Sequence, residues 1–333
     1  MNRFTFVDCA TVDEALSQMK GDAVVKAGGI DLLDLMKDGI VSPPKLVSIR
    51  NVQSLHRIES SDRGLQIGPL TTLSEIADHP EIRKRYAALS DAAGHAATPQ
   101  VRNMATVGGN LMQRPRCWYF RSTDFDCRKK GTSDECHALQ GENQYHAIVN
   151  NGKCAMVHPS STAVPLLAMD AEVELTSKAG KRTVAMRDFY VTPEEDLQRE
   201  TAVKPGELIT AIRVPVPTAG TRSAYQKYGE KESFDWPIAD AGVVLEMDGK
   251  VCRNAAIVLG VAAPTPIHAL QAEAALRGKT IDERTAREAG KLAVANATPL
   301  SQNGYKVQLF QTAVYRTILL AAGQMDRDPS AIG

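Results

Sequence analysis

Lys26-Ala27-Gly28-Gly29-Ile30-Asp31-Leu32-Leu33 is the stretch on which the reading of this chain turns. Ala23 to Lys26 is a short apolar run that reads as a strand, and Asp31 to Lys37 has helical spacing. The glycine pair therefore sits between a strand end and a helix start. Backbone N–H groups there are unhindered by side chains and face the positive end of a helix dipole, which suits a pyrophosphate. The pattern is neither Gly-x-Gly-x-x-Gly nor a Walker loop. Taken alone, a Gly-Gly pair more often marks a tight turn that merely needs glycine.

Outward from that loop the pattern is regular. Thr11-Val12-Asp13-Glu14 has capping-box spacing and opens a short helix that closes near Gly21, while Leu46 to Ile49, past Pro43-Pro44, reads as a second strand. Together these segments form a β-loop-α-β unit. A second capping box, Thr72-Leu73-Ser74-Glu75, begins a helical region that resumes after Pro80 and runs to about Gly94. From Thr98 to Cys154 the chain is rich in Gly, Asn, Arg and Cys with little periodicity, a recipe for loops draped over something.

Inside that stretch, Arg102-Asn103-Met104-Ala105-Thr106-Val107-Gly108-Gly109-Asn110 supplies another glycine pair flanked by a hydroxyl and an amide. Two such loops can grip one large ligand with a polar middle, with backbone donors for phosphates and side chains for ribityl and ring heteroatoms.

Four of the six cysteines, Cys117, Cys127, Cys136 and Cys154, fall in the same stretch, with nine, eight and seventeen residues between neighbours. Structural zinc usually uses closer pairs, and no Cys-x-x-Cys occurs. Disulfides suit an oxidising compartment, but a chain with an ample core has little need of them. Four thiolates on an irregular segment can also converge on a cubane iron-sulfur cluster, whose ligand spacings vary widely. All three readings stand on spacing alone. His137 and His158 lie nearby but are not assigned as ligands. Trp118, Tyr119 and Phe120 are expected to pack over whatever the loop encloses, and Cys252 reads as a small buried hydrophobe in a strand.

Farther on, Val173 to Leu175 and Thr183 to Ala185 read as a strand pair, and Pro205-Gly206-Glu207-Leu208-Ile209 leads into a strand ending at Pro215. Pro215 to Thr221 is the best boundary. Ala239 to Met247 and Val251 to Val261 then pair through Asp248-Gly249, and three helical stretches finish the chain. At 333 residues there is room for two or three domains. Thirty-nine basic residues balance 39 acidic ones, so no nucleic-acid partner is implied. No window approaches the roughly eighteen apolar residues that span a bilayer. Met1 to Lys20 lacks the basic start and apolar block of a secretory signal.

Taken together, the first loop, Ala105-Thr106-Val107-Gly108-Gly109-Asn110 and Pro205-Gly206-Glu207-Leu208-Ile209 resemble the FAD subunit of the xanthine dehydrogenase and carbon monoxide dehydrogenase family, over nearly the whole chain. The resemblance implies an α+β fold. Residues 1–217 would form a two-part FAD-binding domain of the PCMH/vanillyl-alcohol-oxidase type with an iron-sulfur loop at 114–158. Residues 222–328 would form a smaller α+β C-terminal domain like that of the CO dehydrogenase flavoprotein, an antiparallel sheet with helices. Arg116-Cys117-Trp118-Tyr119-Phe120 with Cys127, Cys136 and Cys154 is similar to the loop of flavin subunits of bacterial periplasmic aldehyde oxidoreductases, and 4-hydroxybenzoyl-CoA reductase is the near rival. In both, four cysteines hold a [4Fe-4S] cluster.

By the same resemblance, Lys26, Ala27, Gly28, Gly29, Ile30, Asp31, Leu32 and Leu33 bind the FAD pyrophosphate, and Thr106, Gly109 and Asn110 contact the cofactor nearer the flavin. Ile209 and Lys227 sit at flavin-contacting positions. Thr162 stands where many relatives have an Asp, three residues after Pro159, and Ile30 stands where many have Thr. No side chain need act as a catalytic acid or base. The chain has neither a Cys-x4-Cys-x2-Cys ferredoxin segment nor a molybdopterin domain. A molybdenum-cofactor catalytic subunit and a [2Fe-2S] subunit are therefore expected as partners in a heterotrimer. Electrons would pass from molybdenum through the [2Fe-2S] centres to FAD and an external acceptor. The complex would be cytoplasmic, or periplasmic if a signal-bearing partner carries it out. A xanthine dehydrogenase-like subunit and a self-contained FAD oxidase are the competing expectations.

Overall fold

Three parallel strands and their crossover helices open the chain in the computed structural model, which describes residues 1–231 and 234–327. The order is β1 (Thr5–Asp8), α1 (Val12–Gln18), β2 (Ala23–Lys26), α2 (Ile30–Lys37) and β3 (Lys45–Ser48). Parallel neighbours need a crossover between them, and the two helices provide it, so β3 lies between β1 and β2. Thr11 caps α1 by accepting the Glu14 N–H at 3.1 Å. The Glu14 carboxylate reaches the Ala10 N–H, one residue short of a full capping box. The pairing of Thr5–Asp8 with β3 was not visible in its own polar and apolar alternation. Cys9, Leu16, Val47 and Ile49 are buried in the small core of this unit.

β4 (Ile58–Ser61) and β5 (Gly64–Ile67) form a hairpin that carries no clear sequence signal. α3 (Leu73–Asp78) follows, opened by the complete Thr72/Glu75 capping box, then α4 (Pro80–Arg85) and α5 (Ala87–Gly94). Between residues 98 and 158 the regular pieces are only α6 (Pro99–Arg102), α7 (Val107–Leu111), α8 (Trp118–Arg121) and two single 3-10 turns. α9 (Ala163–Ala168) is fully buried and leads into β6 (Glu172–Ser177), β7 (Gly180–Ala185) and β8 (Leu208–Val214). These strands complete a five-stranded antiparallel sheet ordered β4-β5-β8-β6-β7.

The last third holds β9 (Thr221–Tyr228), β10 (Ala239–Asp248), β11 (Val251–Leu259) and the two-residue β12 (Ile267–His268), an antiparallel sheet in the order β12-β11-β10-β9. Asp248-Gly249 makes the expected turn between β10 and β11, with Gly249 at φ +58°. α10 (Leu270–Leu276), α11 (Glu283–Ala293) and α12 (Tyr305–Ala321) pack on this sheet, where Cys252 is buried as expected. Tyr225 and Val258 pack into the core of the middle region, so the two regions share apolar contacts. The ensemble is α+β, with an antiparallel sheet and helices at the C-terminal end. The last residue of the expected C-terminal domain, Asp328, lies outside the described residues. Among the described residues, no helix is long and apolar enough to cross a membrane.

Candidate functional site

Gly29 takes φ +83° at the N-cap of α2, a left-handed conformation that costs glycine nothing. Gly28 is demanded by space, because a Cβ there would lie 2.0 Å from the carbonyl oxygen of Met104. The first glycine loop thus rests directly on the second. In that second loop Thr106 caps α7, accepting the Gly109 N–H at 3.1 Å, while the Gly108 N–H donates to the Pro69 carbonyl at 2.9 Å.

The two loops form walls of one cleft of about 780 Å³, within the range of small-molecule and cofactor sites. Of the residues singled out in the sequence, Lys26 to Leu32, Thr106, Gly109, Asn110, Ile209 and Lys227 all line it. Leu33 and Thr162 do not. Leu33 lies under the loop, its Cδ1 3.3 Å from the point a Gly29 Cβ would occupy. Thr162 is fully buried and spends its hydroxyl on Oδ1 of Asn110 at 2.6 Å. The neighbouring Ser161 is the one that lines the cleft, and its buried hydroxyl has no partner within the chain. An orphaned hydroxyl facing a cleft is what a bound ligand satisfies. Distance from Pro159 singles out Thr162 in the sequence, and no residue pattern distinguishes Ser161.

Charges on the walls are held by the protein. Lys227 donates to the carbonyls of His95 (2.7 Å) and Asp235 (2.9 Å), and burial lowers its pKa. Burial also lowers the Lys26 pKa, with the Arg50 charge adding to it. Asp31 accepts the Arg114 backbone N–H at 2.9 Å and pairs with Arg116 at 2.9 Å and Arg121 at 2.6 Å. Phe234 and Trp236, each 51% exposed, also line the cleft, and the Arg116 guanidinium stacks 4.3 Å from the Trp236 ring centroid. Neither aromatic was singled out, since both sit in a loop with no periodic signal.

Directly beyond the Asp31 arginines, Cys117, Cys127, Cys136 and Cys154 surround one small cavity, with Tyr119 and Phe120 in its wall as expected. All four are free thiols. Mutual interaction of Cys136 and Cys154 lowers the pKa of Cys136 to about 6 and pushes that of Cys154 up. Burial pushes Cys117 up to about 12. Among the described residues, no three His, Cys, Asp or Glu side chains stand as a group that grips a single ion. The irregular segment is nevertheless well bonded. The Arg128 side chain ties the Asp134 and Lys153 carbonyls together at 2.7 and 2.9 Å, bringing the neighbours of Cys127 and Cys154 into register.

His137 lines the cavity, but its Nε2 is bonded to the Asp126 carbonyl at 2.7 Å. His158 lies apart against Tyr190, where burial drives its pKa down to about 3. The histidine that does meet a cysteine is His146, with Nε2 3.2 Å from the Cys117 sulfur and a pKa lowered to about 4 by burial.

Comparison with known families gives the class of protein that this fold and cleft define. The family described as FAD binding domain in molybdopterin dehydrogenase matches residues 2–217, and the CO dehydrogenase flavoprotein C-terminal domain matches residues 223–321. The chain belongs to this family of FAD-binding oxidoreductase subunits of molybdenum hydroxylases. Among individual relatives, it is 34% identical to the aldehyde oxidoreductase FAD-binding subunit PaoB of Escherichia coli, over 97% of this chain and 100% of that one. It is 30% identical to the carbon monoxide dehydrogenase medium chain of Afipia carboxidovorans, over 86% and 83% of the two chains. Its fold matches a carbon monoxide dehydrogenase structure from Hydrogenophaga pseudoflava with a TM-score of 0.76 and 27% identity, over 98% of this chain and 99% of that one.

Proposed function

We propose that this chain is the FAD-binding electron-transfer subunit of a heteromeric molybdenum-containing aldehyde oxidoreductase, and that Cys117, Cys127, Cys136 and Cys154 hold a [4Fe-4S] cluster. The observation that carries the reading is four thiols around one cavity beside the cleft, in a chain alike over 97% of its length to an aldehyde oxidoreductase subunit. A single zinc ion requires four sulfurs about 2.3 Å from one centre. In a cubane each thiolate has its own iron, which suits ligands standing around a cavity.

For FAD, the backbone N–H groups of residues 27–32 would take the pyrophosphate, with the N-terminus of α2 behind them. Thr106, the Asn110 amide and the Ser161 hydroxyl would supply further polar contacts, and Ile209 and Lys227 also line the cleft. When bound, FAD takes single electrons and releases one or two to an acceptor. The chain's own residues orient the ring system and keep the charges around it fixed. Substrate oxidation belongs to a molybdenum-cofactor subunit, and a [2Fe-2S] subunit links the two. The complex resides in the cytoplasm, or in the periplasm where a partner carries the export signal.

Anaerobic purification with flavin, iron and sulfide quantified beside a visible spectrum tests this. One FAD with about four iron and four sulfide per chain supports it, as does loss of iron with flavin retained in Cys127→Ser. Flavin with zinc, or with no metal, removes the cluster and with it the case for an aldehyde oxidoreductase of this type.

A further inference from the structure

We propose that His146 donates a hydrogen bond from Nε2 to the Cys117 thiolate and thereby raises the reduction potential of the cluster. The inference rests on the [4Fe-4S] reading and names a positioning residue for it. Three observations carry it. Nε2 stands 3.2 Å from the Cys117 sulfur. Nδ1 is buried without a hydrogen-bond partner, so a second ring proton would have no acceptor. A thiolate bound to iron can only accept, so the single proton of the neutral ring belongs on Nε2, facing the sulfur.

The backbone that carries the ring is held from α12 and the loop before it. The His146 carbonyl accepts Nδ2 of Asn303 at 3.1 Å and Nζ of Lys306 at 3.0 Å, and its N–H donates to the Asn143 carbonyl at 3.0 Å. The Trp118 ring meets the imidazole edge-on at 5.0 Å. The backbone is therefore pinned on both sides and the ring on one face. Hydrogen bonds to ligand sulfurs favour the more negative, reduced cluster and so raise its potential.

Anaerobic potentiometric titration followed by EPR, on the full chain in its complex, tests this with His146→Phe and His146→Gln. Phe keeps the bulk and removes the donor; Gln keeps a donor. The expected result is a cluster midpoint shifted to more negative potential in His146→Phe, largely restored in His146→Gln, with the flavin midpoint unmoved. Iron lost from the Phe variant but kept by the Gln variant also supports the donor role. An unchanged midpoint in His146→Phe, or iron lost from both variants with flavin retained, overturns it. A wild-type protein lacking iron and sulfide sinks the cluster reading itself, an outcome visible before any variant is made.

Discussion

Thr162 gives its hydroxyl to Oδ1 of Asn110 at 2.6 Å, and Ser160 gives its own to the same oxygen at 2.7 Å. The Thr162 backbone N–H adds a third donor at 3.3 Å. Because an N–H can only donate, the oxygen of this amide is fixed on that side and its NH2 is left for the cleft. Thr162 thus contributes to the site through Asn110. Thr162→Val should cut FAD affinity about tenfold, the effect of roughly 1.4 kcal/mol from one lost buried hydrogen bond. Thr162→Ser should keep it near wild type. Flavin fluorescence titration of the apoprotein measures both, and equal affinity in Thr162→Val would show that Asn110 does not need this anchor.

Gly28→Ala asks more of the backbone. With a Cβ 2.0 Å from the Met104 carbonyl oxygen, the two loops must move apart. Overpacking of this kind costs about 1–3 kcal/mol. The variant should lose both thermal stability and flavin content, whereas Gly152→Ala, where nothing lies within 4 Å of the added Cβ, should keep both. Thermal denaturation with the flavin-to-protein ratio checks the pair.

Local chemistry was legible in the chain and long-range pairing was not. The two glycine loops, the Thr72/Glu75 box and the Asp248-Gly249 turn each depend on neighbours in sequence, and all were placed from sequence. The α+β class came from resemblance, since periodicity alone did not assemble the sheets. β1 was missed because four residues at a sheet edge carry little pattern, and β4–β5 because Ile58–Ser61 is mostly polar and solvent-facing. His146 was invisible for another reason. It is 29 residues from Cys117, and only folding around Asn303 and Lys306 brings the ring to the sulfur. Leu33 was included because it completes a contiguous stretch, but the helical turn after Gly29 points it beneath the cleft.

Acid stability should depend on Glu174. Burial alone would raise its carboxyl, but donors from Arg213 (2.7 Å), Thr210 (2.8 Å) and Lys181 (3.3 Å) outweigh that and hold it at about 2, against an ordinary 4.5. A depressed folded-state pKa stabilises the protein above the unfolded value, and that contribution is lost as pH falls toward the folded one. The wild-type advantage over Glu174→Gln should be constant above about pH 5 and disappear between about 4.5 and 2. Urea midpoints of both proteins from pH 7 to pH 3 measure it; a difference that does not shrink on acidification contradicts the assignment.

Asp31 joins the start of α2 to the segment that carries Cys117. It is the second residue of α2, immediately after the glycine loop, and only 15% of its side chain is exposed. Its carboxylate receives the Arg114 backbone and the Arg116 and Arg121 guanidinium groups, which flank Cys117. Removing it leaves two partly buried guanidinium groups short of an anion and frees the start of the cysteine loop. Asp31→Ala should cost about 2 kcal/mol, between the values for exposed and buried pairs. Flavin affinity and cluster retention should fall together. Asp34 meets the same arginines at 3.2 and 3.5 Å, but its side chain is 53% exposed, so Asp34→Ala should change either property little. Parallel measurement of FAD affinity and iron release to a chelator separates the cases. If Asp31→Ala loses iron but binds FAD at wild-type affinity, the carboxylate serves the cysteine loop alone, and the glycine loop is held by the packing of Gly28 on Met104.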